Sequence, residues 1–237
     1  MIRTGTPDEG AANRRKLVLA NGTGYFKSEF IASPFGEAIA PQSFLVEQDP
    51  DSVILPHFHL QNEFQVVVKG SGTFGRHAVR PLSVHYAGAH TGYGPIVAGP
   101  GGLWYFTLRP AMDQGAKFLP ESRDMMQKGP KFQLLGRALS VSEDSARRAE
   151  VLCEEALPPQ PDGIAGWFLR LPPGGSACAP VHPNGLGRFY VVISGRARVT
   201  GALLGRIATV FVTPEEEPVR VQAGAEGAEI LVLQFPK

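Results

Sequence analysis

Sliding the sequence against itself by 125 residues brings its two halves into register. His57 falls on His182, His59 on Asn184, Glu63 on Arg188 and Gly70 on Gly195, and the run Leu45–His57 falls on Arg170–His182. A period this long describes two copies of one domain, not a solenoid of small repeats. Each copy therefore has to close a core of its own from about a hundred residues. The 28 glycines and 21 prolines punctuate short apolar runs, among them Phe64–Val68, Leu103–Leu108, Gly166–Leu171, Arg188–Ile193 and Ile230–Phe235. Short β-type runs separated by turn residues predict an all-β sandwich or barrel. Helix signals are few. Ser142–Ala156 has a helix start and an acidic first turn, but Ala149–Glu155 alternates like a strand, so both readings stay open there.

The repeat predicts an N-terminal segment over residues 1–24, a first barrel over 25–110, a connecting segment over 111–159 and a second barrel over 160–237. Asp113-Gln-Gly115 and Lys128-Gly-Pro130 read as linker chemistry.

Charge excludes some functions. With 23 basic and 22 acidic residues the net charge is +1, and no basic stripe exists to follow a phosphate backbone. Nucleic acid is not an expected partner, and neither end shows a helix-turn-helix. No apolar run of membrane-spanning length is present. Met1–Leu17 is polar and rich in Arg and Gly, without the apolar stretch of a secretory signal. Cys153 and Cys178 form no CxxC pair, so no disulfide framework is implied, and both read as buried packing residues in a reducing, cytoplasmic setting.

Five of the six histidines lie between His57 and His90. Two of them belong to the tight pattern His57-Phe58-His59-Leu60-Gln61-Asn62-Glu63. Histidines at i and i+2 on a strand share a face. Two imidazoles and a carboxylate without thiolate suit Fe(II), Mn, Ni or Zn in a site with open positions, and not a structural zinc site. Glu63, Gln65 and Val67 share a strand face, so Gln65 is expected beside the ligands. Phe64, Val66 and Val68 form an opposite apolar face that needs a cover, either the other copy or a second subunit in a homodimer.

These residues resemble the first motif of the cupin superfamily, G-x5-H-x-H-x3,4-E-x6-G. The chain carries His57-x-His59-x3-Glu63-x6-Gly70, with Asp51 in place of the leading Gly. The second motif, G-x5-P-x-G-x2-H-x3-N, is matched only by Tyr86-Ala-Gly88-Ala-His90, one residue short and without the Pro and Asn. The resemblance implies two tandem jelly-roll barrels. It implies one divalent transition metal, Fe(II) ahead of Mn, Ni or Zn, held by His57, His59, Glu63 and His90, with His85 as the alternative fourth ligand. Tyr93 and Trp104 read as core aromatics, with a place in the substrate pocket as the alternative for each.

The second copy keeps His182 but has Asn184 and Arg188 at the other ligand positions. A guanidinium cannot ligate a metal, so this copy is expected to be metal-free. Arg188 and Tyr190 share a strand face and should line the second cavity, where Arg188 either pairs with one of Glu215–Glu217 or binds an anion. The functional expectation is a mononuclear-metal enzyme on a small organic molecule, most simply an Fe(II)-dependent dioxygenase. A metal-dependent isomerase or lyase acting on a small acid, and a non-catalytic small-molecule-binding cupin, are the alternatives.

Overall fold

The computed structural model describes residues 1–33, 40–142, 144–217 and 219–237. The chain forms two compact units, one of Gly10–Leu135 and one of Gly136–Lys237 together with Met1–Glu9. Both are built on antiparallel sheets, as the punctuated β runs predict.

The first unit is organised around a sheet in the order Gln133–Leu135, Val84–Ala87, Glu63–Phe74, Ile96–Arg109, Gln42–Gln48, Gly24–Ile31 and Arg15–Val18. A small two-stranded sheet pairs His57–Phe58 with Lys117–Phe118. The central pair, Glu63–Phe74 with Ile96–Arg109, places Thr107 opposite Gln65 and Leu108 opposite Phe64. Alternation then separates the two sides of Glu63–Phe74. Glu63, Gln65 and Val67 are buried on one side, and Phe64 and Val66 are fully buried on the other.

The second unit repeats the plan with Gly185–Val199 between Thr209–Val212 and Arg220–Pro236, continued by Ala165–Leu171 and Leu152–Leu157. Its outer strand is Ile2–Gly5, which pairs with Thr209–Val212. The expected N-terminal segment is thus divided. Met1–Glu9 belongs to the second unit, while Arg15–Val18 is an edge strand of the first. The span Ser142–Ala156 holds a single 3-10 turn, Ser145–Arg147, and a strand, Leu152–Leu157, so alternation prevails over the helix start; position 143 lies outside the described residues.

The 125-residue period is visible in backbone detail. Gly70 and Gly195 have φ of +78° and +70°, Gly102 and Gly227 of +76° and +75°, and Leu82 and Ile207 of +69° and +64°. A Cβ on Gly70 would sit 2.0 Å from the Gly102 carbonyl oxygen, and one on Gly195 would sit 2.1 Å from that of Gly227. The glycine that closes the histidine motif is therefore a place where two strands touch backbone to backbone. Both cysteines are exposed, contrary to the packing role expected of them. No helix among the described residues is long and apolar enough to cross a membrane.

Candidate functional site

The site lies in the first unit, in a cavity of about 260 Å³ whose wall includes His57, His59, Tyr93, Arg109 and Asp113. His57 and His59 enter it from the short strand His57–Phe58 and the residue that follows it. Phe58, between them, is fully buried on the other side. Tyr93 is locked opposite by two backbone bonds, His57 N–H to Tyr93 O at 3.1 Å and Tyr93 N–H to His57 O at 3.0 Å.

Both imidazoles are oriented from behind. His57 Nδ1 lies 2.7 Å from the Leu55 carbonyl oxygen. A carbonyl only accepts, so Nδ1 carries the proton and Nε2 keeps its lone pair toward the cavity. His59 Nδ1 lies 2.8 Å from Asp113 Oδ1, and its Nε2 stands 3.9 Å from Glu63 Oε2, beyond hydrogen-bond reach. Asp113 is itself fixed, accepting from the backbone N–H groups of Leu60 and Gly115 at 2.8 and 2.7 Å. Burial pushes the Asp113 carboxyl up, but the His59 hydrogen bond and the charges of His59 and Arg109 outweigh it and hold the group well below the usual range.

Glu63 is almost fully buried and fully engaged. Its Oε2 accepts from Arg109 Nε at 2.9 Å and Nη2 at 2.7 Å. Its Oε1 accepts from Gln65 Nε2 at 2.7 Å and the Tyr93 hydroxyl at 2.5 Å. Burial raises the carboxyl, and the charges of His59 and Arg109 with these bonds reverse the shift, leaving it an anion. The Tyr93 hydroxyl also lies 3.0 Å from His57 Nε2 and accepts from Gln65 Nε2 at 2.8 Å. Burial, then the Glu63 charge and hydrogen bond, push this phenol well above its ordinary value, so it keeps its proton. That single proton serves the short bond to Glu63. The His57 Nε2 lone pair then faces the Tyr93 oxygen with no hydrogen between them. Burial, followed by the charge of His59, lowers His57 to about 4, so its ring is neutral near pH 7.

Several expectations meet in this cluster and others do not. His57, His59, Glu63, Gln65 and Tyr93 come together. His90 does not: it lies outside the cavity wall, on the Phe58 side. The turn after Gly88 sets its φ to +58°, its N–H bonds to the His59 carbonyl, its ring packs near that of Phe58, and its Nδ1 accepts from the Gln127 N–H at 3.3 Å. The left-handed backbone turns the side chain away. His85, the alternative, bonds through Nδ1 to Gln65 Oε1 at 2.5 Å and through Nε2 to Gln133 at 3.1 Å, so Gln65 stands between it and Glu63. Trp104 lies under Lys69 Nζ at 4.2 Å and does not line the cavity. Arg109 and Asp113 were not among the expected site residues. Tyr105, Thr107 and Arg109 are polar groups at period two near the end of an apolar strand, and that line marks the cavity face. Asp113 carries no comparable signal, because Asp113-Gln-Gly115 has the composition of any turn.

As arranged, no three His, Cys, Asp or Glu side chains among the described residues converge on one point for an ion, because Arg109 draws Glu63 Oε2 to itself. The donor chemistry nevertheless fits a divalent metal. Two imidazoles held through Nδ1 direct Nε2 inward, a pattern that orients metal-bound histidines.

The second unit gathers no such set among its described residues. His182 Nδ1 accepts from the Asn184 N–H, and Asn184 donates outward to the Pro161 carbonyl oxygen at 2.9 Å. Arg188 forms no ion pair with Glu215–Glu217. Glu216 instead holds the α-amino group of Met1 at 2.5 Å.

No protein-family model matches the sequence, and no curated protein resembles it at the level of sequence. Solved structures do resemble it in fold. Oxalate decarboxylase from Bacillus subtilis, with Mn(II) centres, superposes with a TM-score of 0.61 at 14% identity, over 100% of this chain and 78% of that one. A bacterial pirin from Escherichia coli in complex with nickel(II) gives 0.57 at 11% identity, over 100% and 99%. Quercetin 2,3-dioxygenase from Acinetobacter baumannii gives 0.54 at 15% identity, over 99% and 79%.

Proposed function

We propose that this chain, whose fold is that of a two-barrel cupin, is a metal-dependent enzyme acting on a small organic molecule in its first barrel. The observation that carries the reading is the pair His57 and His59, each held through Nδ1 with Nε2 on the cavity side. His57, His59 and Glu63 would hold the ion, with the Tyr93 hydroxyl beside His57 and Glu63. A bound transition metal would supply Lewis acidity and, for iron, a site where O₂ and substrate meet. The similar structures named for dioxygenase and decarboxylase activity support this class of chemistry, with dioxygenation ahead of decarboxylation or isomerisation.

The remaining residues shape the substrate. A cavity of about 260 Å³ lies just below the ~300–1,000 Å³ of sites for drug-sized ligands, so the substrate is small. Phe44 and Phe118 offer apolar contact, and Tyr25 and Tyr105 offer hydroxyls on the same wall. Burial raises both phenols, so they act as hydrogen-bond donors. Lys27 Nζ sits 4.1 Å over the Phe44 ring and pairs with Glu29 at 2.9 Å, as Arg109 pairs with Glu63. An aromatic ring bearing hydroxyl groups suits these walls.

Protein purified without chelators should contain about one transition-metal ion per chain. His57→Ala with His59→Ala should abolish it, and His182→Ala should leave it unchanged. Iron-loaded, anaerobic protein should bind nitric oxide, and substrate turnover should consume O₂ in step. Metal retained in the double variant would overturn the site. A metal-loaded protein that ignores nitric oxide and consumes no O₂ would set dioxygenation aside in favour of a decarboxylase or isomerase.

A further inference from the structure

Inside the second barrel, Arg188 and Tyr190 are 3% and 1% exposed, and Arg188 Nη1 and the Tyr190 hydroxyl have no hydrogen-bond partner. Arg188 makes no ion pair with any described residue. The repeat explains how this arose. Arg188 occupies the position of Glu63, Tyr190 that of Gln65 and Gln234 that of Arg109. In the first barrel the first and third of these form an ion pair; in the second they are a cation and a neutral amide. Gln234 is also spent elsewhere. Its Nε2 donates to the carbonyl oxygens of Gly163 and His182, both at 3.0 Å, and its Oε1 accepts from the His182 N–H at 3.1 Å. The deeply buried carboxylate of this unit, Glu229, is taken by Arg170 at 2.7 Å and Arg148 at 3.1 Å.

A guanidinium cannot shed its charge in a protein, and an uncompensated buried charge costs several kcal/mol. Water can satisfy the open hydrogen bonds but not the charge. We infer that the second barrel binds a small monocarboxylate through Arg188 and Tyr190. A guanidinium matches a carboxylate in charge and shape, and the neighbouring phenol adds a donor. One cation neutralises one carboxylate, whereas a phosphate dianion would import an excess negative charge. The surroundings, with Trp167, Val210, Val212 and Val232 in the same apolar cluster, suit the hydrocarbon part of the ligand. The depth of both groups restricts the ligand to a free small acid, because a chain terminus could not be buried with it. This site is independent of the metal reading of the first barrel.

The test uses the full chain, refolded from urea into buffer free of carboxylates, and follows thermal unfolding and calorimetric titration with formate, acetate, benzoate and inorganic phosphate. Wild-type protein should gain stability saturably with at least one carboxylate and not with phosphate. Arg188→Met should fold, should be at least as stable as the wild type without ligand, and should show no carboxylate response. Tyr190→Phe should weaken the affinity by roughly tenfold, the loss of one charge-assisted hydrogen bond. Three results would overturn the site: an equal carboxylate response in Arg188→Met, a phosphate response as large as that to carboxylates, or no saturable response at all. Failure of Arg188→Met to fold would also count against it, since the charge would then have an internal role.

Discussion

Arg109 places two nitrogens, Nε at 2.9 Å and Nη2 at 2.7 Å, on a single oxygen of Glu63, and both residues are almost wholly buried. A motif carboxylate is thus held in its charged state by His59 and by a cation at the far end of a neighbouring strand. Removing that cation leaves a buried anion without its counter-charge. Arg109→Met should destabilise the protein by about 3–5 kcal/mol, the range for breaking a buried pair from one side. Adding Glu63→Gln should recover much of that loss. Urea unfolding of the single and double variants measures both, and a single-variant loss below about 1 kcal/mol would show that Glu63 does not depend on Arg109.

Asp113 accepts from His59 at 2.8 Å and lies 3.7 Å from Arg109 Nη1, which places it behind the His59 ring to aim it. Asp113→Asn keeps an acceptor for only one side, because Leu60 N–H and Gly115 N–H donate to different oxygens of Asp113, and it removes the charge behind His59. Metal affinity should fall by about 10–100-fold, as for other groups that orient a ligand, and metal-free protein should also unfold at lower urea, because the charged carboxylate and its bonds stabilise the fold. Competition against a metallochromic chelator gives the affinity, and wild-type affinity in the variant would remove Asp113 from this role.

His57 sets a pH dependence. Burial, then the His59 charge, lowers it from 6.5 to about 4 in the folded state. Between those values the unfolded chain binds a proton that the folded protein does not, so stability falls as pH drops through this window. Metal-free protein should hold its full stability above about pH 6.5 and lose up to about 3 kcal/mol by pH 4. Glu63 and Asp113, both depressed, add losses only at and below their ordinary carboxylate values, as pH falls toward their folded-state values. His57→Gln should reduce the slope between pH 6.5 and 4 while leaving the acid limb, and the remaining slope belongs to His85, which burial also lowers. An unchanged slope, measured by urea midpoints across pH, would assign the window to another group.

The paired glycines give a steric prediction. Gly70→Ala and Gly195→Ala would place a methyl 2.0 and 2.1 Å from a carbonyl oxygen at positive φ. Gly201→Ala has a φ of +90° but nothing within 4 Å. The first two should lose well over the ~1–2 kcal/mol of an unfavourable left-handed residue alone, and Gly201→Ala should lose about that amount. Equal thermal shifts in all three would mean that backbone contact plays no part.

The sequence alone determined the two-copy architecture, the all-β class and which motif residues gather in the first-unit cavity. A 125-residue register and period-two alternation act through local geometry. His57 and His59 share a face, and Gln65 joins Glu63, because successive strand residues must alternate. Loss of the motif in the second copy was equally legible, since Asn184 and Arg188 differ in kind from the residues they replace. Tertiary structure decided what pairing and turns bring from elsewhere. Arg109 meets Glu63 across 46 positions and Asp113 meets His59 across 54. His90 leaves the site because one residue of left-handed backbone turns it away. Tyr93 moves to the centre because its backbone pairs with that of His57. Side-chain chemistry shows which groups can act together, but charge compensation depends on which strands become neighbours, and alternation within one strand carries no record of that.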